Sequence, residues 1–356
     1  MPSAAPENHR PVAYWLFACA ALIFCIVVVG GVTRLTRSGL SIVEWKPISG
    51  ILPPIAAADW EDAFGKYRET PEYKLVNRGM SLSEFKNIFW WEYIHRVLAR
   101  LVGAVFLVPF LWFLMKRNIR GALAGKLAVI FALGAAQGFL GWYMVKSGLV
   151  KDPHVSHLRL MSHLMLAVIL YGILISTAWN LVDQKTERSS KAGWLTVALT
   201  FLLLASGALV AGLKAGKMFN TFPLMNGSYF PPGMLGLEPG YTNFYDNPVT
   251  VQFIHRNLAY LLGGLLLFRV FQGWSDIRAK NFRHPLVLLF CVYLMQVLLG
   301  VLTLLNSVPV SLGALHQANA LLLFSAALYA RTKGLRFNGD IESGYPRTHG
   351  HQSDNL

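Results

Sequence analysis

Eight long apolar runs constrain this chain more than any other feature of its sequence. They fall at about 13–33, 91–115, 122–145, 158–180, 193–213, 250–272, 285–305 and 312–331. Runs of roughly 18–25 residues are long enough to cross about 30 Å of hydrocarbon as α-helices. In hydrocarbon every backbone N–H and C=O must find its partner within the segment, which a helix achieves. Composition agrees: of 356 residues 54% are hydrophobic and only 14% charged, outside the range of a soluble domain. An even number of spans puts both termini on one side.

Lysine and arginine near the helix ends set the orientation. The 2–3 connection carries Lys116, Arg117 and Arg120, the 4–5 connection Lys185, Arg188 and Lys191, the 6–7 connection Arg278, Lys280 and Arg283, and the tail Arg331, Lys333 and Arg336. That side is predicted to be cytoplasmic. The long connections, about 34–90 and 214–249, then face the outer compartment, and the short 3–4 and 7–8 connections carry little charge beyond Lys146 and Lys151. The formal charge of +14 therefore reads as topology and contact with anionic lipid rather than nucleic-acid binding, for which no basic stripe with interleaved aromatics is present. "MPSAAPENHR" has a weak positive region, and "GGVTRLTRSG" follows the first run without an obvious small-residue cleavage site. An uncleaved first helix is expected, and the lack of an Arg-rich leader favours a bacterial inner membrane. Cys19, Cys25 and Cys291 all fall inside predicted helices, so no disulfide is expected in the outer loops.

The chain is internally repeated. His95, Arg96 and Gly103 recur 160 residues later as His255, Arg256 and Gly263, while Gln137 and Gly141 in "AQGFLG" match Gln296 and Gly300 in "MQVLLG". Upstream, "LTRSG" pairs with "GLKAG", setting Arg37 against Lys214 and Gly39 against Gly216. The predicted fold is an all-α polytopic membrane protein in which eight transmembrane helices form two tandem four-helix bundles. They span 13–180 and 193–331, are related by a pseudo-twofold along the membrane normal, and are followed by a polar cytoplasmic tail at 332–356.

Four histidines lie inside predicted helices, two per unit: His95 and His163, then His255 and His316. Each follows the outer end of its helix by about four to six residues, a depth of roughly 6–9 Å at the helical rise. Paired histidines at one height on neighbouring helices are what axial ligation of a haem iron requires. Zinc is the competing metal, but its tetrahedral sites want clustered ligands, and no such spacing appears. His154 and His157 are assigned to the 3–4 connection, and His9, His284, His349 and His351 to cytoplasmic ends or the tail; these six are read as ordinary polar residues.

Taken together, "WWEYIHRVLARLVG", "RLMSHLMLA", "FNTFPLMNG", "QFIHRNLAYLLG" and "LGALHQANALLLF" resemble the haem A synthase family in its proteobacterial and mitochondrial branch. The resemblance runs from about Gly30 to Ala330. It implies an eight-helix membrane enzyme that oxidises the C8 methyl of haem O to the formyl group of haem A by successive hydroxylations, for cytochrome c oxidase. It further implies that His255 and His316 hold a haem b cofactor while His95 and His163 line the haem O site. Expected partners are haem O synthase, an electron donor or acceptor and membrane lipid, with a homo-oligomer possible. The Gram-positive branch carries a cysteine pair in the first outer loop; this sequence has no cysteine there.

Glu92 stands out independently of the resemblance. Three residues before His95, it shares that helix face, and a carboxylate at a membrane boundary is costly enough to suggest a task. The second unit has Gln252 in its place, which cannot titrate. Glu92 is therefore the candidate for proton handling or for stabilising positive charge during oxidation of the methyl. Arg96, Arg256, Arg37 and Lys214 lie near the outer level, placed either to pair with haem propionates or to snorkel. Trp90 and Trp91 read as interfacial aromatics, and "FNTFPLMNGSYFPPG" as a structured cap. Two readings compete with the enzyme: a dihaem b-type electron-transfer protein that modifies no haem, and a non-enzymatic haem carrier.

Overall fold

The computed structural model describes residues 9–46, 49–150, 152–183, 190–275 and 280–332. Among them are ten α-helices: α1 (Arg10–Leu35), α2 (Ala57–Arg68), α3 (Pro71–Leu75), α4 (Leu82–Met115), α5 (Gly121–Gly148), α6 (His157–Val182), α7 (Lys191–Gly212), α8 (Pro248–Ser275), α9 (Lys280–Leu305) and α10 (Val310–Thr332). All but α2 and α3 are long and apolar enough to cross a membrane, and they coincide with the eight predicted runs. The chain is a multi-pass helical membrane protein.

Local chemistry sets the helix ends. Pro11 occupies the first turn of α1, where its missing N–H costs nothing. Ser156 and Ser190 cap α6 and α7 by accepting a backbone N–H three residues on. The second span was expected from residue 91, yet α4 begins at Leu82. Ser81 and Glu84 form a capping box there, and Phe85 and Phe89 on the extension pack with Trp60, Phe64 and Tyr67 in a small aromatic core of their own. At 34 residues α4 measures about 51 Å, well beyond the hydrocarbon thickness. Its first turns therefore stand clear of the membrane as a post for α2 and α3.

Within residues 10–182 the packing order closes on itself: α1 touches α4 and α6, and α5 touches the same two helices. The order repeats in 191–332, where α7 touches α8 and α10, and α9 touches the same two. Contacts of α1 with α10, α6 with α7 and α6 with α10 join the sets. Among the described residues, three hydrogen bonds join helices across this seam. Gln317 Nε2 donates to the Val27 carbonyl at 2.7 Å, Arg34 Nη1 donates to the Ala211 carbonyl at 2.7 Å, and the Tyr171 and Ser325 hydroxyls share a hydrogen bond of 2.7 Å. Gly31 gives Gln317 its room: a Cβ there would lie 2.2 Å from the amide oxygen. One apolar core runs through both sets, with Leu16, Val168 and Leu174 belonging to the same buried cluster as Leu203, Leu262 and Leu321. By contrast α4 and α5 bury few side chains and turn residues such as Val108, Leu111 and Phe139 outward, as lipid-facing helices do.

Both long connections lie at one end of the bundle, hereafter the long-loop end. The second folds as the structured cap expected: Asn243 and Asn247, both buried, bind the carbonyls of Leu237, Gly240 and Gly233. Lys116, Arg117, Arg120, Lys191 and Arg331 lie at the opposite end. Lys151, Lys185, Arg188, Arg278, Lys333, Arg336, His349, His351 and the tail from 333 onward lie outside the described residues, as do the side chains of Lys280 and Arg283.

In the first cap Glu72 of α3 is only 4% exposed and accepts a hydrogen bond from the fully buried Tyr67. Burial pushes its carboxyl up from an ordinary value of 4.5 to about 7; the Tyr67 bond, Arg37 and Lys214 oppose that rise, and Glu92 reinforces it. The folded cap thus holds this proton more tightly than the unfolded chain does. Its contribution to stability is fullest below pH 4.5 and declines as the pH climbs from 4.5 to 7. Amide protection factors across residues 57–75, corrected for the intrinsic pH dependence of exchange, should fall over that window in the native protein and stay level in Glu72→Gln.

Candidate functional site

His95, His163, His255 and His316 each face a glycine on a neighbouring helix. A Cβ on Gly30 of α1 would lie 2.9 Å from Cε1 of His95, and one on Gly141 of α5 would lie 3.0 Å from Cε1 of His163. In the second set the distances are 3.1 Å from Gly207 of α7 to His255 and 2.9 Å from Gly300 of α9 to His316. A side chain at any of these positions would push the ring away, so glycine supplies the space in which an imidazole can lie flat between two helices.

The ring nitrogens are differently placed. Nδ1 of His95, His163 and His316 is buried without a hydrogen-bond partner. The carbonyls of Ile26, Gln137 and Gln296, each four residues before the glycine, lie toward these rings but short of hydrogen-bond geometry. The Leu203 carbonyl, four residues before Gly207, lies toward the His255 ring in the same way, and His255 differs in that its Nδ1 is also 2.8 Å from the Ser206 hydroxyl. The Nε2 atoms of His163 and His316 have only the amide nitrogens of Gln137 and Gln296, at 3.5 and 3.4 Å, too long for strong bonds. All four histidines are half-buried, and the two of each pair lie within electrostatic reach of one another. Buried Nδ1 atoms and uncommitted Nε2 atoms, on histidines paired within electrostatic reach, suit axial ligation of a haem in each set. No three His, Cys, Asp or Glu side chains converge among the described residues. Cys19 is buried, Cys25 and Cys291 are exposed, and all three are free.

At the long-loop end of α4, Glu92 is buried at 3% exposure and fully engaged. Its Oε1 accepts two N–H bonds from Arg96, at 2.7 and 3.1 Å; its Oε2 accepts the Ser41 hydroxyl at 2.7 Å and the Ile42 amide at 2.8 Å. Arg96 also binds the carbonyls of Ile42 and Glu44. Glu92 is thus paired with Arg96, and the pair faces inward and pins the start of the first cap. The second set reverses the polarity. Gln252 Nε2 donates to the Phe219 carbonyl at 3.1 Å and leaves Oε1 buried without a partner, while Arg256 binds the carbonyls of Phe219, Thr221 and Pro223. The guanidinium groups of Arg96 and Arg256 are therefore loop clamps, a role the sequence left between propionate pairing and snorkelling. Arg37 and Lys214 also correspond: each follows the end of its helix in the left-handed region at φ 55°.

His157 is the first residue of α6 rather than part of the connection, and its Nε2 lies 2.8 Å from Asp246 Oδ1, tying α6 to the second cap. Trp90 and Trp91 are exposed, as interfacial aromatics would be, with Trp90 also against Trp60 and Tyr93. Gly30, Gly207 and Ser206 escaped the sequence reading. A signal existed, since Gly30 precedes Gly39, and Gly207 precedes Gly216, by the same nine residues. By contrast Gly103 and Gly263, matched in sequence, differ: Gly263 meets the Tyr293 ring while nothing approaches Gly103.

The fold and these seats define a class, a polytopic helical membrane protein with one pair of glycine-seated histidines in each half. Residues 13–328 match the COX15-CtaA family, described as cytochrome oxidase assembly protein. Among curated relatives, the heme A synthase of Nitrosospira multiformis is 50% identical over 333 residues, covering 90% of this chain and 92% of its own. That of Nitrosomonas eutropha is 48% identical over 342 residues, 92% and 94% of the two chains, and that of Parvibaculum lavamentivorans 46% over 326 residues, 90% and 94%. The chain belongs to the COX15-CtaA family.

The two clamps should respond unequally to the same truncation. Arg96→Leu strands the buried Glu92 carboxylate and should cost about 3–5 kcal/mol. Arg256→Leu removes hydrogen bonds beside a neutral amide and should cost about 1–3 kcal/mol. Thermal unfolding of both variants in detergent tests the difference.

Proposed function

We propose that this protein is a haem A synthase, an oxidoreductase that converts the C8 methyl of haem O to the formyl group of haem A. His95 and His163 hold the substrate, and His255 and His316 hold a resident haem b, which supplies one-electron redox chemistry when bound. The observation that carries this reading is the unequal pair at matched positions, Glu92 against Gln252. Two similar histidine seats imply two haems, and a carboxylate beside only one of them implies that only one haem is transformed.

The residues divide the work. His95 and His163 orient the macrocycle, and their glycine seats fix how the rings lie. Glu92 faces four donors and no acceptor, an arrangement that solvates negative charge. A charge held there stabilises positive charge developing on the substrate as the methyl is oxidised. Arg96 and the first cap hold Glu92 in place, and the cap limits access of bulk water from the long-loop end.

The chain sits in a bacterial inner membrane with both termini cytoplasmic and the caps outside. Its halves, 13–180 and 193–331, are pseudo-twofold-related bundles; the repeated packing order and the equal φ of Arg37 and Lys214 support this. Haem O synthase delivers the substrate, and a separate donor or acceptor exchanges the electrons. The similarity of the seats is also what a dihaem electron-transfer protein would have, so the test must separate the two.

Coexpression with a source of haem O, followed by extraction and mass analysis of haems, does so. Wild-type protein is expected to yield haem A. Glu92→Gln, whose amide can no longer accept from every one of the four donors, is expected to keep haem and yield no haem A. His255→Leu is expected to lose the resident haem b. Haem O alone, recovered from fully loaded wild-type protein with a competent electron partner, would overturn the proposal in favour of electron transfer.

A further inference from the structure

The position just before each seat glycine is Val29 on α1, Leu140 on α5, Ser206 on α7 and Leu299 on α9. Only Ser206 carries a hydroxyl, and only His255 among the four histidines has its Nδ1 hydrogen-bonded. The bond's direction follows from the serine's other contact. Ser206 Oγ donates its one hydrogen to the Leu203 carbonyl at 2.9 Å, which leaves it an acceptor toward the imidazole. His255 must then carry its proton on Nδ1 and present the Nε2 lone pair, the ligating tautomer. Ser206 is 7% exposed, so water does not compete for this bond.

We propose that Ser206 is the positioning residue that makes the second seat a retaining one, while Val29 leaves the equivalent His95 free to exchange its ligand. The inference rests on the reading of the second pair as the cofactor site and the first as the substrate site. A resident cofactor needs a slow off-rate, and a substrate that leaves as product needs a fast one. A hydrogen bond to the outward nitrogen of a ligating imidazole fixes its orientation and raises its basicity, and losing such a partner lowers metal affinity by about 10–100-fold. Ser206 supplies that partner to His255. Val29, one methyl-bearing side chain in the same place, supplies none to His95.

The test is haem release, which needs no turnover. Purified protein loaded with haem b at both seats is mixed with excess haem-scavenging protein, and the loss of its own Soret absorbance is followed. Wild-type protein is expected to release haem in a fast and a slow phase. Ser206→Ala should quicken the slow phase about tenfold or more and raise the midpoint potential of the haem that remains, because a less basic imidazole stabilises ferric iron less. Ser206→Thr, which keeps the hydroxyl, should behave as wild type. Val29→Ser should slow the fast phase without altering the slow one. Unchanged release and potential in folded, haem-loaded Ser206→Ala would overturn the proposal, as would a slow phase that Val29→Ser and Ser206→Ala affect alike. Failure to form haem A, with these release phases intact, would instead count against the synthase reading alone.

Discussion

Everything at the histidine sites depends on a helix backbone passing so close to an imidazole ring that a Cβ on it would lie about 3 Å from the ring. A histidine facing lipid would carry polar nitrogens into hydrocarbon; a histidine facing an ordinary side chain would be pushed out of line. Glycine at 30, 141, 207 and 300 removes the obstacle and lets two helices close on the ring from one side. Because the same contact recurs in both halves, both inherit the same seat, and their differences reside in single residues around it.

Those differences fall on two levels. Near the ring, Ser206 stands where the first half has Val29, and it reaches Nδ1 of His255. At the long-loop end, Glu92 accepts the Ile42 amide, whereas Gln252 donates to the Phe219 carbonyl. A carboxylate accepts only and an amide can donate, so the exchange is coupled to which backbone group the loop turns toward α4 or α8. Glu92 therefore has a structural duty in holding the cap, in addition to any part in the chemistry. That duty is why haem content must be read beside activity in its variants.

The spans, their order and the paired histidines were legible in the sequence because each rests on a strong, local physical signal. Hydrocarbon length sets the apolar runs, and repetition exposes His95 against His255 and Gln137 against Gln296. The extension of α4 back to Leu82 was not legible from hydropathy, since it is held by a capping box and by Trp60 and Phe64 from another helix. Nor was the clamp role of Arg96 and Arg256: which carbonyls a guanidinium meets depends on a loop path that no periodicity encodes. Ser206 was hidden for a related reason. A lone hydroxyl in an apolar helix is unremarkable until the ring opposite it is known.

Gly30 and Gly31 are neighbours on α1, and they serve different halves. Gly30 takes the His95 ring, while Gly31 makes room for Gln317, the residue after His316, whose amide reaches Val27 across 290 positions of sequence. Among the described residues, α1 is therefore completed by α10, at the other end of the helix order. Until α10 is inserted, α1 has an unfilled notch beside its own histidine seat, and the seam between the halves cannot close. Both seats therefore reach their final geometry only once α10 has joined α1, whichever half is folded first.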